Sequence, residues 1–333
     1  MEIRKVQITG GSSFIITLPK TWVKKLNIKK NDPLGLVVQP DGSLVITKNV
    51  GEEQEERIME IDVAGVDTET YLFRCLIGAY IAGYNAIKIK SKSAIPPFVR
   101  AVVRKFTQAT IGQEVVEETD NSIIIKDLLN PAEMPFERSI RRMYMIARGM
   151  HRDAISILRN RNKMLAEDIS HRDNDVDKLY WLIARQHNMV SININLARKM
   201  GVGTERVVNY FLISRIIERI ADHAVRIARN IMNFADEQID KRIVTAIESA
   251  SALALEIFDE SIKAFIKEDM RLANRNIESL TKLASLCEKI IRLALRERSA
   301  IAVSIGYITE SIRRTGEYAA DISECVINHL IGK

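Results

Sequence analysis

The spacing of hydrophobic residues changes about 130 residues into the chain. Before that point, apolar residues occur in short runs that glycine, proline or acidic residues interrupt. From Pro135 onwards the helical period is nearly unbroken, and no further proline occurs. The pattern predicts a multidomain protein with a β-rich N-terminal domain, a small α/β domain and an all-α C-terminal half of tandem three-helix bundles.

Residues 1–49 have the pattern of a small β-rich domain. Two apolar runs flank the turn Gly10–Ser13, and Pro19 suits the first turn of a short helix, where its missing N–H needs no partner. The runs 34–38 and 43–47 flank Asp41-Gly42, which is a strong hairpin signal. Since about 50 residues bury little apolar area, we expect this domain to dimerise.

An acidic linker at residues 51–56 precedes a predicted α/β module at residues 58–130. Strand-like runs and helical segments follow each other in the order βαβαββ. The predicted strands are 58–63, 86–89, 114–117 and 122–126, and the predicted helices are 68–82 and 97–110. No catalytic constellation is recognisable in this module, so we interpret it as a structural or interaction module.

The C-terminal half contains six predicted helices and an internal repeat. The helices are 136–161, 164–200, 204–236, 239–266, 268–297 and 300–331. The segment 217–227 aligns with 312–322, and 173–179 aligns with 274–280. The alignment predicts two three-helix repeats, at residues 135–236 and 238–333.

Glu218 and Asp222 are four residues apart, so they lie on one face of a helix, away from its apolar stripe. Asp173 and Asp177 have the same spacing on the preceding helix. Four carboxylates on adjacent ridges suit a cation such as Mg²⁺, Mn²⁺ or iron. The alternative is a solvated helix face, with neighbouring arginines at 215, 219 and 226 that neutralise the carboxylates.

The net charge of +6 is unevenly distributed. Residues 1–50 contain eight lysines and arginines but three acidic residues, so they carry +5 of that total. This asymmetry indicates either contact with a polyanion or a solvated basic surface, and charge alone does not choose between them.

The segment 216–229, IIERIADHAVRIAR, closely resembles the signature helix of the PhoU family of phosphate-uptake regulators. The resemblance covers residues 135–331 and includes the repeat of two three-helix bundles. It implies a role in phosphate signalling, often together with the phosphate transporter, and surface metal clusters on such helices. Glu218 and Asp222 would then be metal ligands, with Asp173 and Asp177 as weaker assignments and the metal unidentified.

The second repeat departs from this family pattern. Arg313 aligns with Glu218, and Asn274 aligns with Asp173, although Glu278 and Glu317 keep their carboxylates. The second site is therefore vacant, or Arg313 pairs with Glu317, or Arg313 and its neighbour bind an anion such as phosphate. We favour the ion pair. We expect metal in the first repeat and little or none in the second.

Residues 3–48 resemble AbrB-type swapped-hairpin domains, through KVxxxGGSSFIITLPKxW and the later DGSL. The resemblance implies a DNA-binding homodimer. The residues that we expect to contact DNA phosphates are Arg4, Lys5, Lys20, Lys24 and Lys25. The alternative is that this domain serves only as a dimerisation clip.

The remaining features indicate a cytoplasmic protein without enzymatic activity. No apolar run reaches the ~18 residues of a membrane span, Met1–Lys5 lacks the pattern of a signal peptide, and three dispersed cysteines suit a reducing compartment. No nucleophile–base pair or phosphate-binding glycine loop is recognisable. The leading hypothesis is a phosphate-responsive, DNA-binding transcriptional regulator. The alternative is a cytosolic adaptor that regulates a phosphate transporter by protein contact.

Overall fold

The computed structural model describes residues 2–38, 42–48 and 57–332. The chain divides into two compact units, Met1–Glu56 and Arg57–Lys333. The predicted acidic linker and Asp41 of the predicted hairpin turn lie outside the described residues. None of the described helices is long and apolar enough to cross a membrane.

The N-terminal unit has two short antiparallel hairpins separated by one helix. Its elements are β1 (Gln7–Thr9), β2 (Ser13–Ile15), α1 (Lys20–Lys25), β3 (Gly35–Val38) and β4 (Leu44–Thr47). Gly10 and Gly11 have φ angles of +59° and +82°, which L-residues with side chains rarely adopt. This requirement explains the glycine pair in the β1–β2 turn, and the predicted strand-rich character of the unit is confirmed.

A four-stranded sheet with two helices opens the second unit. Its elements are β5 (Ile58–Asp62), α2 (Glu69–Ile81), β6 (Ala86–Lys90), α3 (Pro97–Ala109), β7 (Gln113–Glu118) and β8 (Ser122–Asp127). The strand order is β5-β6-β8-β7, with β5 and β6 parallel and the other pairs antiparallel. The predicted βαβαββ order is confirmed.

The rest of the second unit is helical. Its helices are α4 (Phe136–Asn160), α5 (Lys163–Ile192), α6 (Ile194–Lys199), α7 (Thr204–Met232), α8 (Lys241–Lys267), α9 (Met270–Glu278), α10 (Leu280–Ala294) and α11 (Ser299–Ile331). One continuous hydrophobic core runs through both repeats, and α7 and α11 pack against each other. The predicted all-α half is confirmed, whereas the boundaries of the four predicted domains stay a prediction.

Two predicted helices are interrupted in the structure. The helix predicted over 164–200 ends at Ile192, because Asn193 adopts an extended conformation. The Asn193 side chain then accepts hydrogen bonds from the backbone N–H groups of Asn195 and Leu196, and this cap starts α6. The helix predicted over 268–297 is briefly interrupted at Ser279, between α9 and α10. Both interruptions are local.

A buried ion pair joins the sheet to α5. Arg185 is 2% exposed, and its guanidinium donates to Asp127 Oδ2 at 2.5 Å and to the carbonyls of Tyr80 and Tyr84 at 2.6 and 2.9 Å. The same guanidinium lies over the Tyr80 ring. These contacts fix the position of α5, the helix that carries two of the candidate metal ligands.

Candidate functional site

The four predicted carboxylate ligands lie on two helices that pack against each other. Asp173 and Asp177 project from α5, and Glu218 and Asp222 project from α7. Ile217 and Ala221 are fully buried, so they lie on the face of α7 that packs into the core. Glu218 and Asp222 lie on a different face of the same helix. Asp173, Asp177 and Glu218 are partly buried, whereas Asp222 is exposed.

The carboxylates influence one another's ionisation. Burial, together with the charge of Asp222, raises the pKa of Asp173 to about 6. Burial and the charges of Asp173, Glu218 and Asp222 raise the pKa of Asp177 to about 7. Burial also raises the pKa values of Glu218 and Asp222. The structure therefore brings the four groups into one negatively charged region, which we call the acidic quartet.

Three arginines of α7 lie near the acidic quartet and partly offset its negative charge. The guanidinium groups of Arg226, Arg219 and Arg229 all lower the pKa of Asp222, in opposition to the effect of burial. Within the described ranges, no three carboxylate, imidazole or thiol groups converge closely enough to hold a metal ion. The donor chemistry suits a hard cation, but binding requires the side chains to turn towards a common point.

On the corresponding face of the second repeat, arginine side chains already form ion pairs with the carboxylates. Arg313 pairs with Glu317, and it also pairs with Glu310 at 2.8 Å. Arg314 binds the same two carboxylates at 3.0 and 3.1 Å. Glu278 accepts a hydrogen bond from Asn274 at 3.0 Å. The favoured pairing of Arg313 with Glu317 is therefore what the structure shows.

Two histidines, His151 and His223, lie near the contact between α7 and α11, and His223 directly follows Asp222 of the acidic quartet. His223 is half-buried, its Nδ1 has no hydrogen-bond partner in the described part of the chain, and its ring lies 5.7 Å from that of Tyr318. His151 is fully buried, with Nε2 2.9 Å from Ser251 Oγ. Burial lowers the pKa of each imidazole to about 4, so both are neutral at pH 7.

The predicted DNA-contacting side chains are all exposed in the N-terminal unit. The set comprises Arg4, Lys5, Lys20, Lys24 and Lys25. The last three lie on α1, and Arg4 pairs with Glu2 at 2.5 Å. Exposed cations on a short helix beside a hairpin are free to contact a polyanion.

Sequence reasoning missed Arg185 and Asp127, the buried residues that hold α5 and therefore its part of the acidic quartet in position. Arg185 falls within a helix whose neighbours Leu182 and Ile183 are buried, and an arginine among buried positions was the available signal. Its partner Asp127 ends a strand 58 residues earlier, so no local pattern links the two residues.

Two family models match separate parts of the chain. Residues 140–231 match the PhoU domain, and residues 7–54 match the model described as antidote–toxin recognition MazE, bacterial antitoxin. These matches confirm both resemblances that the sequence indicated.

Relatives and solved structures agree with the family matches. The phosphate-specific transport system accessory protein PhoU homolog 1 of Thermotoga maritima is 24% identical over 198 residues, which are 57% of this chain and 83% of that protein. The crystal structure of PhoU from Pseudomonas aeruginosa has 17% identity and a TM-score of 0.53, over 60% of this chain and 96% of that one. The phosphate transport system regulatory protein PhoU from Streptococcus pneumoniae has 16% identity and a TM-score of 0.50, over 60% and 94%. The two structures show a shared fold.

Proposed function

We propose that this PhoU-domain protein is a cytoplasmic, phosphate-responsive regulator of phosphate uptake that binds DNA as a homodimer through its N-terminal unit. One observation carries the proposal: a single chain joins a PhoU domain to a basic, MazE-type hairpin unit. The matched relative is named an accessory protein of phosphate-specific transport, which supports the phosphate assignment.

Exposed apolar side chains support dimerisation of the N-terminal unit. Ile8, Phe14 and Val38 are 67%, 76% and 75% exposed, and Val37 alone among its described hydrophobic residues is buried. Such exposed apolar side chains in so small a unit indicate an interaction surface. A second copy of the same unit is the simplest partner, because a twofold interface needs one self-complementary surface.

Charge supports DNA as the ligand of that dimer. Each copy presents five exposed cations from α1 and the segment before β1, so a dimer presents ten. Contacts between lysine or arginine and DNA phosphates release counterions, and each contact steepens the fall of affinity with salt. The affinity of the full-length protein for duplex DNA should therefore fall sharply between low and moderate salt.

Charge reversal tests DNA binding directly. In the full-length protein, Lys5→Glu/Lys20→Glu/Lys24→Glu should lower the affinity for duplex DNA at least about tenfold and flatten its salt dependence. A matched control reverses three exposed lysines of the second unit, Lys267→Glu/Lys282→Glu/Lys289→Glu, and should change the affinity little. Equal effects of the two triple variants, or none from either, would remove the DNA-binding assignment.

We also propose that the acidic quartet binds a divalent or iron-type cation as part of the sensing half. The support is the concentration of negative charge: neighbouring carboxylates add to burial in raising the pKa values of Asp173, Asp177 and Glu218, and a cation would relieve that repulsion. The pairing of Arg313 with Glu310 and Glu317 supports asymmetric loading, because a guanidinium already occupies the second site.

Elemental analysis tests this second assignment. Purified protein dialysed against Mg²⁺, Mn²⁺ or Fe²⁺ should retain metal in the first repeat, and Glu218→Ala/Asp222→Ala should lose it. Glu317→Ala, in the second repeat, is the control and should leave the stoichiometry unchanged. Unchanged stoichiometry in the first variant contradicts the assignment.

The alternative function is an adaptor that regulates a phosphate transporter by protein contact without binding DNA. The relative's printed description as an accessory protein of a transport system favours it. Under this alternative, the N-terminal unit is a dimerisation clip. Dimerisation without salt-dependent DNA binding would favour the adaptor over the regulator.

A further inference from the structure

An open groove lies between α10 and α11 in the second repeat. Its volume is about 450 Å³, within the range of small-molecule sites. The floor is apolar or neutral, and consists of Ala284, Cys287, Ile291, Gly306 and Thr309. Arg292 and Arg313 lie at its edges, each beside a carboxylate. We call this feature the Gly306 groove.

The first repeat fills the equivalent place with an aromatic ring. Extending the alignment of 217–227 with 312–322 by six residues towards the N-terminus places Phe211 at the position of Gly306. The Phe211 ring stacks on His187, with ring centroids 4.8 Å apart and planes at 24°, and it lies 6.2 Å from the Tyr180 ring. A planar ring therefore fits between these two helices.

The second repeat leaves that place open because glycine supplies no side chain. A Cβ added at Gly306 would meet no atom within 4 Å. Ile291, on the groove floor, is 41% exposed, whereas Val190, the aligned residue of the first repeat, is 2% exposed. The groove is thus a partly exposed apolar surface at the place where the first repeat carries the Phe211 ring.

The charges at the two edges differ in how fully they are paired. Arg313 binds Glu310 and Glu317, so its donors are engaged. The Arg292 side chain is 69% exposed, and its nearest carboxylate oxygen, on Glu288, is 3.6 Å away, which is too long for a hydrogen bond. Arg292 therefore has guanidinium donors available for an incoming carboxylate.

We propose that the Gly306 groove binds a small aromatic carboxylic acid, with the ring between α10 and α11 and the carboxylate on Arg292. The neutral floor suits the ring, because burial keeps the Cys287 thiol protonated and raises its pKa to about 11. The Arg292 guanidinium supplies a two-donor contact to the acid group. This assignment is independent of DNA binding and of the acidic quartet.

Titration calorimetry with the full-length protein tests the assignment. The probes are phenylacetate, indole-3-acetate and 2-naphthylacetate, with indole as the probe that lacks a carboxylate. At least one acid should bind with millimolar affinity or better, and Arg292→Gln should weaken it about tenfold, as expected for loss of a charged hydrogen bond. Indole should bind the wild type about as weakly as the acid binds Arg292→Gln.

Gly306→Phe supplies the decisive variant, because it restores the ring that the first repeat carries. It should abolish binding of the acid probe while preserving the fold. Gly78→Phe, at a helical glycine of α2 that also has open space around its Cβ position, is the matched control and should bind as the wild type does.

Three outcomes would overturn the proposal. The first is no binding of any acid at about 5 mM, a concentration above the expected dissociation constant. The second is equal binding by Gly306→Phe and wild type. The third is self-association of the second unit that Gly306→Phe abolishes, because the groove's occupant would then be a second copy of the chain.

Discussion

At the scale of single residues, the buried ion pair between Arg185 and Asp127 matters most for the architecture. Arg185 and Asp127 have side chains 2% and 6% exposed, and the remaining guanidinium donors reach two backbone carbonyls of the α/β module. Breaking such a pair leaves a charge without a partner in a low-dielectric interior. The pair therefore holds α5 against the module.

Removing the carboxylate of this pair should be costly. We expect Asp127→Ala to lower the free energy of unfolding by about 3–5 kcal/mol, since Arg185 stays buried and charged. Urea denaturation measures the change. The control is Glu137→Ala, which breaks an exposed ion pair with Arg141 and should cost less than about 1 kcal/mol. Similar costs for the two variants would contradict this account of the pair.

His151 should make the fold sensitive to acid. Burial, with a further contribution from the charge of His223, lowers its pKa to about 4 from the ordinary value of 6.5. Between pH 4 and pH 6.5, such a histidine binds fewer protons in the folded protein than in the unfolded chain. Its contribution to stability is therefore complete above pH 6.5 and is lost as the pH falls towards 4.

The test compares pH profiles of stability. Between pH 7 and pH 4 the free energy of unfolding of the wild type should fall, and His151→Gln should make that fall smaller by about 2–3 kcal/mol. The control is His171→Gln, at an exposed histidine of α5, whose profile should follow the wild type. Parallel profiles for wild type and His151→Gln would mean that another group causes the acid sensitivity.

At the scale of elements, two glycines of α11 have opposite surroundings. A Cβ at Gly316 would overlap Leu283 Cδ2, and the Leu283 side chain is itself buried in α10. A Cβ at Gly306 would meet nothing. Gly316 therefore permits the close packing of α11 on α10, whereas Gly306 leaves a groove.

Alanine at these two positions should have opposite effects. Gly306→Ala should raise the free energy of unfolding by about 0.5–1 kcal/mol through helix propensity. Gly316→Ala should lower it by about 1–3 kcal/mol, because Leu283 must move within a packed core. Thermal unfolding distinguishes the signs, and stabilisation by both variants would show that Leu283 moves without cost.

The elements also show how far sequence reasoning reaches. Helical periodicity was enough to place Glu218 and Asp222 on a face away from the buried Ile217 and Ala221, because that spacing depends on the backbone alone. The interruption at Asn193 was not predicted, because a side-chain cap competes with a helix whose apolar pattern continues beyond it. The partner of Arg185 could not be predicted either, because it depends on tertiary packing.

At the scale of the whole molecule, dimerisation should depend on the apolar surface of the N-terminal unit. Phe14→Asp places a charge on that surface, so in sedimentation equilibrium we expect the variant to be a monomer and the wild type to be a dimer. Tyr71→Asp, at an exposed aromatic residue of the second unit, should remain a dimer. A dimeric Phe14→Asp variant would place the dimer interface elsewhere.

Under the proposed function, one chain connects the phosphate status of the cell to DNA. Genome-wide DNA occupancy of the full-length protein, measured in cells grown at high and at low phosphate, tests it most directly. The proposed function predicts discrete sites near phosphate-uptake genes, with occupancy that changes with phosphate and is lost in Lys5→Glu/Lys20→Glu/Lys24→Glu. Occupancy no greater than that of this variant, at either phosphate level, would contradict the claim.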